Sequence, residues 1–145
     1  MSEACEIPSQ NPTSQEVKKL LTGAKTIAVV GLSDKPDRDS YIVARYLMAH
    51  GYEIIPVNPA IEEVLGRKAY KSLAEVPGRI DIVDIFRRSE AVPPIVDEAI
   101  RLKAGAVWLQ LGVVHEEAAR KARDAGLQVV QAKCIKIEHA RLLGH

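Results

Sequence analysis

Short apolar runs rich in β-branched residues recur along the chain, separated by stretches whose apolar residues repeat every three or four positions. The first kind reads as strand and the second as helix, because side chains alternate across a strand but return to one helix face after about 3.6 residues. Thr26 to Val30 is the first run, ended by a sharp turn at Gly31. Ile42, Val43, Tyr46 and Leu47 then share a helical face, stopped at His50-Gly51. Tyr52 to Val57 is a second strand, closed by Asn58-Pro59. Residues 60–70 are less regular, with Arg67-Lys68-Ala69-Tyr70 as a short strand and a helical turn near Ser72 to Glu75. Past the Pro77-Gly78 turn, Ile80 to Phe86 is a third main strand interrupted by Asp81 and Asp84.

A further helix enters at Ser89, where Pro93 and Pro94 are tolerable only in a first turn. Ile95, Val96, Ala99 and Ile100 form its apolar face, and Ala104-Gly105 ends it. Ala106 to Leu111 is the next strand, followed by a turn at Gly112 and an alanine-rich helix from His115 to Asp124, ended by Gly126. Leu127 to Ala132 is the last long strand, and Ile137 to Leu143 a short terminal helix. Upstream of all these, Thr13-Ser14-Gln15-Glu16 fits a capping box opening a helix with Val17, Leu20 and Leu21 on one face and Gly23 as its stop. Residues 1–12 are polar and aperiodic and read as a flexible arm, leaving residues 13–145 as the domain.

Strand and helix alternate almost throughout. That order predicts an α/β fold: a single Rossmann-like domain, with a mostly parallel sheet and helices on both faces. A length of 145 residues suits one such domain, and 47% hydrophobic with 27% charged residues is ordinary for a globular protein. The net charge of +1 provides no global field for nucleic acid or an anionic membrane, so anion recognition must be local. The absence of a membrane-length apolar run or a signal pattern points to the cytoplasm. Cys5 and Cys134 form neither a disulfide framework nor a metal-ligand spacing, which fits a reducing compartment. No metal site is expected.

Ligands of such sheets sit beyond the carboxyl ends of the strands, where strand order reverses. The residues there are Gly31-Leu32-Ser33 with Lys35 and Arg38, then Asn58-Pro59, Phe86-Arg87-Arg88, Gln110-Leu111-Gly112 and Lys133-Cys134. A dinucleotide fingerprint needs three glycines and here only Gly31 is present, while the second strand ends in Asn58 rather than an acid. An amide beside four cations suits a ligand more anionic than NAD, since guanidinium forks and helix N-terminal N–H groups both favour phosphate. Phe86 could face a purine. Plainer roles stand beside each reading. Lys35 and Arg38 alternate with Asp34, Asp37 and Asp39, as in a solvated loop; Arg87 and Arg88 suit a surface strand end, and Phe86 suits a core. Gln110 could satisfy loop backbone, Trp108 could simply pack, and His50, His115 and His139 lie near helix ends, where capping is the bland role. No nucleophile elbow or lysine-bearing phosphate loop occurs, and a Cys134–His139 pair has no assured contact, so no catalytic residue is assigned.

Taken together, Val29-Val30-Gly31-Leu32-Ser33-x-x-Pro36-x-Arg38-x-Ser40, Tyr52-x-Ile54-x-Pro56-Val57-Asn58-Pro59 and Phe86-Arg87-Arg88 resemble the small bacterial and archaeal CoA-binding proteins. So do Val107-Trp108-Leu109-Gln110-x-Gly112-Val113, Glu116-Glu117-Ala118-Ala119 and Cys134-x-x-x-Glu138, so that the resemblance spans residues 15–143. That family includes the YccU-like proteins and is related to the N-terminal CoA-binding domain of succinyl-CoA synthetase α subunits. The resemblance implies coenzyme A, or an acyl-CoA, at the strand ends. Gly31, Leu32, Ser33, Lys35 and Arg38 would hold phosphates, while Val57, Asn58, Phe86, Arg87 and Arg88 would line the adenosine. Gln110 would lie toward the pantetheine, with Lys133-Cys134 near the thiol end. Ala132-Lys133 departs from the Asp-Arg common in the family, and His115 stands where many members carry Asn. The synthetases need a second domain with a phosphorylated histidine, and this sequence ends at His145. The expected role is therefore binding without independent turnover, as a sensor, carrier or accessory subunit, with a protein partner or homo-oligomer left open. Two alternatives are an NAD(P)-binding redox enzyme or sensor on the same fold, and a mixed disulfide between Cys134 and CoA.

Overall fold

The computed structural model describes residues 11–144. The chain runs α1 (Ser14–Gly23), β1 (Thr26–Val30), α2 (Asp39–Ala49), β2 (Glu53–Val57), β3 (Glu63–Val64), β4 (Arg67–Lys68), β5 (Ile82–Ile85), α3 (Val92–Arg101), β6 (Ala106–Leu109), α4 (Glu116–Asp124), β7 (Gln128–Val130) and α5 (Ile135–Leu142). Turns of 3₁₀ helix at Leu73–Glu75 and Ser89–Ala91 precede β5 and α3. The helix ends follow the local chemistry. Thr13 and Glu16 exchange both bonds of the capping box at α1, and Pro93 and Pro94 fall in the first turn of α3. The His115 ring accepts from the Ala118 N–H at α4, which carries acids in its first turn and bases in its last.

Five strands form one parallel sheet in the order β2-β1-β5-β6-β7. The fold class is the Rossmann-like α/β domain that the alternation of elements predicts. Ile27, Val29, Ile54, Ile82, Trp108 and Val130 turn to a face covered by α1, α2 and α5. Ala28, Val30, Val83, Ile85, Val107, Leu109 and Val129 turn to the opposite face, under α3, α4 and the first 3₁₀ turn. From β1 the chain steps one way to β2, and from β5 it steps the other way to β6 and β7, so strand order reverses between β1 and β5. Pairing aligns Val57, Val30, Ile85 and Leu109 in one row across four strands. The next residue of each strand is therefore at the same edge: Asn58, Gly31, Phe86 and Gln110.

Several boundaries differ from the sequence reading. The Arg67 run is the second arm of a small hairpin, β3–β4, whose turn holds Leu65 and Gly66 at positive φ. Two-residue arms show no alternation from which to read them, and the Tyr70 end of that run instead bridges parallel to Val57. The third main strand keeps only Ile82–Ile85, and the last only Gln128–Val130, because Ala132 turns to φ 59°. The terminal helix starts at Ile135, two residues early, with Cys134 at the N-cap position making no side-chain cap bond. Residues 1–10 of the expected arm, Cys5 included, lie outside the described residues. Asn11 pairs its side-chain amide with both backbone groups of Gln131. No helix among the described residues is long and apolar enough to cross a membrane.

His139 is no capping residue. It is buried between α5 and α2, where its Nδ1 shares a 2.9 Å hydrogen bond with the Tyr46 hydroxyl. The His50 ring lies 4.9 Å away and donates from Nδ1 to the Tyr46 carbonyl, Tyr52 presents its ring at 5.7 Å, and Lys136 stands over Tyr46. Burial holds the His139 pKa below the usual imidazole value, and the neighbouring His50 adds to the effect. The unfolded chain, with a histidine pKa of about 6.5, then binds its proton before the folded chain does, so this group removes stability as pH falls through that value. Relative to His139→Gln, the wild type should lose stability between pH 7 and pH 5, measured as the difference between their urea midpoints at each pH.

Candidate site at the carboxyl edge of the sheet

Gly31 closes the row of strand ends. Its N–H donates to the Val57 carbonyl at 2.8 Å, while the Phe86 N–H donates to the Val30 carbonyl at 2.9 Å. The φ of Gly31 is +89°, and a Cβ built there would strike the Phe86 carbonyl oxygen and stand 3.0 Å from Arg87 Cδ. Only glycine meets both demands. Asn58 then ties the following loop to the sheet. Its Nδ2 donates to the Leu32 carbonyl at 3.0 Å, and its Oδ1 accepts from the Ala60 N–H at 2.8 Å. Ser33 Oγ accepts from the Lys35 N–H and the Ser33 N–H donates to Ser40 Oγ, a self-supporting turn into α2. The helix begins after Arg38 with no side-chain cap, so its first N–H groups are left for solvent or a ligand.

Four recesses adjoin along this edge. A polar crevice of about 580 Å³ is lined by Gly31, Ser33, Arg38, Asn58 and Phe86, and also by Asp34, Asp37 and Asp39. An apolar slot of about 320 Å³ lies on the α3 side, between Val30, Val57, Leu73, Pro94 and Ile95, with Arg87 and Lys71 in its lining. Phe86, Gln110, Leu111 and Cys134 border a recess of about 280 Å³ between α2 and α5. Arg88 belongs to a fourth, with Phe86, Arg87 and Gln110. Phe86 is thus common to three of them, and packs against the core on its other side.

The candidate residues are brought to one edge but not to one pocket. Gly31, Ser33, Arg38, Asn58 and Phe86 share the crevice; Val57 and Arg87 share the slot. Leu32 is buried and offers the edge only its backbone. Lys35 is exposed and lines none of the four recesses. Arg88 is set apart on the Gln110 side, at 4.0 Å from Glu90. The crevice is no purely cationic site, since three aspartates face the ligand space with Arg38. Cys134 is unpaired and half-buried. Because His139 Nδ1 is engaged by Tyr46, the hydrogen bond it makes is not with that thiol.

Asp84, a polar position in the third main strand, is a buried carboxyl beside this edge. It is 0% exposed in the central strand β5, and its Oδ1 accepts a short hydrogen bond from Gln110 Nε2. Oδ2 has no partner among the described residues. Desolvation raises its pKa to about 8 against the lowering effect of the Gln110 bond, so the acid is protonated at neutral pH. Asp81 contrasts with it. Although burial works in the other direction, bonds from the Lys25 and Thr26 N–H groups and Arg79 hold its carboxyl below the usual range. A signal was present: residues three apart on a strand face opposite sides, so Asp81 and Asp84 cannot share one polar face.

A family model described as the CoA binding domain matches residues 25–140. The chain belongs to the CoA-binding domain family. Bacillus subtilis (strain 168) YneT is 50% identical over 131 residues, covering 90% of this chain and 97% of YneT. The solved structure of a hypothetical protein from Pyrococcus horikoshii OT3 matches with a TM-score of 0.91 at 44% identity, over 99% of this chain and 100% of that one. The α subunit of ADP-forming acetate–CoA ligase II from Pyrococcus furiosus is 31% identical over 129 residues. That match takes in 80% of this chain but only 28% of the ligase subunit, so this CoA-binding domain corresponds to a small part of such a ligase.

Two substitutions test the edge. Gly31→Ala should cost about 2–3 kcal/mol or more through backbone strain and the clash at Phe86, read from chemical denaturation. Asp84→Asn removes a group whose folded pKa is raised, a contribution complete below about pH 4 and lost as pH climbs toward 8. The variant should therefore gain steadily on the wild type as pH rises across that window, seen as diverging denaturation midpoints.

Proposed function

We propose that the protein binds coenzyme A, free or acylated, along the carboxyl edge of its sheet and serves as a binding module: a sensor, carrier or accessory subunit. The observation that carries this reading is the strand register, which lines up Gly31, Asn58, Phe86 and Gln110 at the reversal of strand order. Beside that row lie the uncapped start of α2 and Arg38, suited together to a diphosphate through N–H groups, helix dipole and a guanidinium fork. The adenosine would lie toward Val57 and Arg87, and the pantetheine would pass Phe86 toward Gln110. Family membership supports the same ligand.

Asp34, Asp37 and Asp39 work against an anion in the crevice, so the helix start and Arg38 must outweigh them. No catalytic step enters the proposal. Ser33 Oγ is spent on the turn, and among the described residues no group of three His, Cys, Asp or Glu side chains could hold a metal. Titration calorimetry with CoA tests the reading. The wild type should bind, and Arg38→Met should weaken binding by about 1.5–3 kcal/mol, the worth of a charge-assisted hydrogen bond. Absence of binding ends the proposal, and a clear preference for NADPH would favour the redox alternative.

A further inference from the structure

The apolar slot on the α3 side holds more positive charge than a base requires. Lys71 and Arg87 stand in its lining with Val57, Leu73 and Ile95, and among the described residues neither takes part in an ion pair. The two cations come from separate segments, each anchored by backbone bonds to a strand end. Lys71 follows Tyr70, whose N–H donates to the Pro56 carbonyl at 2.9 Å and whose carbonyl accepts from the Asn58 N–H at 2.8 Å. Arg87 follows Phe86, bonded to Val30, and its stem crosses the bare Cα of Gly31. Glu98 is the one carboxylate in the lining.

An apolar slot flanked by two unpaired cations fits a purine nucleoside bearing a phosphate monoester. The second ionisation of a monoester, near pH 6, leaves it close to dianionic at pH 7, whereas each phosphate of a bridging diester carries a single charge. The diphosphate has its own donors at Arg38 and the start of α2, in the adjoining crevice. Lys71 and Arg87 are therefore available for a second anionic group. Their chemistry is complementary, a compact ammonium beside a planar fork. Arg88 does not line the slot; it shares with Arg87 only the neighbouring recess on the Gln110 side.

We infer that Lys71 and Arg87 form a clamp for a ribose phosphate monoester and select phosphoadenosine ligands over those lacking that group. The inference rests on the proposed site in taking the adenosine into this slot. Coenzyme A carries such a monoester on the 3′ oxygen and NADP on the 2′ oxygen, so the test separates them. Binding of CoA, dephospho-CoA, NADP and NAD is measured by calorimetry for the wild type, Lys71→Met and Lys71→Arg, with thermal melts as a folding control. The wild type should bind CoA at least about tenfold more tightly than dephospho-CoA. Lys71→Met should lose most of that ratio by weakening CoA alone, and Lys71→Arg should restore it. Equal wild-type affinity for CoA and dephospho-CoA, or a Lys71→Met effect equal on both, overturns the clamp and leaves CoA binding standing. Preference for NADP over NAD that depends on Lys71, without CoA binding, upholds the clamp and overturns the coenzyme A reading. No discrimination within either pair overturns the clamp.

Discussion

The close meeting of β1 and β5 at their carboxyl ends sets the geometry of the whole edge. Phe86 bonds back to Val30 while its carbonyl occupies the space that a Cβ on residue 31 would fill. Gly31 in turn bonds to Val57, so three strand ends are tied at one level. A side chain at position 31 would force those ends apart and carry Arg87 with them. The glycine therefore acts through what it permits around it, and touching a ligand is not required of it.

Unmet polar demand and one strained residue lie at this edge: the non-glycine Ala132 takes φ 59° two residues beyond β7. The unpartnered Asp84 oxygen lies one residue inside the last row of strand pairing, on the strand that carries Phe86. Such costs persist where the surrounding packing over-determines them, and binding sites are where they commonly collect. On the same face, beside Asp84 in the register, Trp108 is fully buried and its indole N–H reaches the Lys133 carbonyl at 2.8 Å.

Charge at the site is assembled from segments distant in sequence. Arg38 arrives with the loop after β1, Lys71 with the segment after the hairpin, and Arg87 with the end of β5. With a net charge of +1, the protein has no broad field to steer an anion, and recognition falls to these placements. Three aspartates in the crevice make the balance finer still, since they would penalise a ligand that failed to engage both Arg38 and the helix start.

The order of strands and helices, the glycine turn at 31 and the carboxyl-edge position of Asn58, Phe86 and Gln110 were legible in the chain itself, because periodicity and turn chemistry are local properties. Tertiary structure alone decided which neighbours those residues acquired. That Lys71 joins Arg87 in the slot depends on the path from the hairpin back to β2, and no local pattern encodes that path. The same holds for Asp84 and His139: a strand aspartate looks polar until helices cover both faces of its sheet, and a helical histidine looks like a cap until α2 packs over it. Burial and pairing are set by the whole chain at once, whereas the periods that reveal strands and helices are written a few residues at a time.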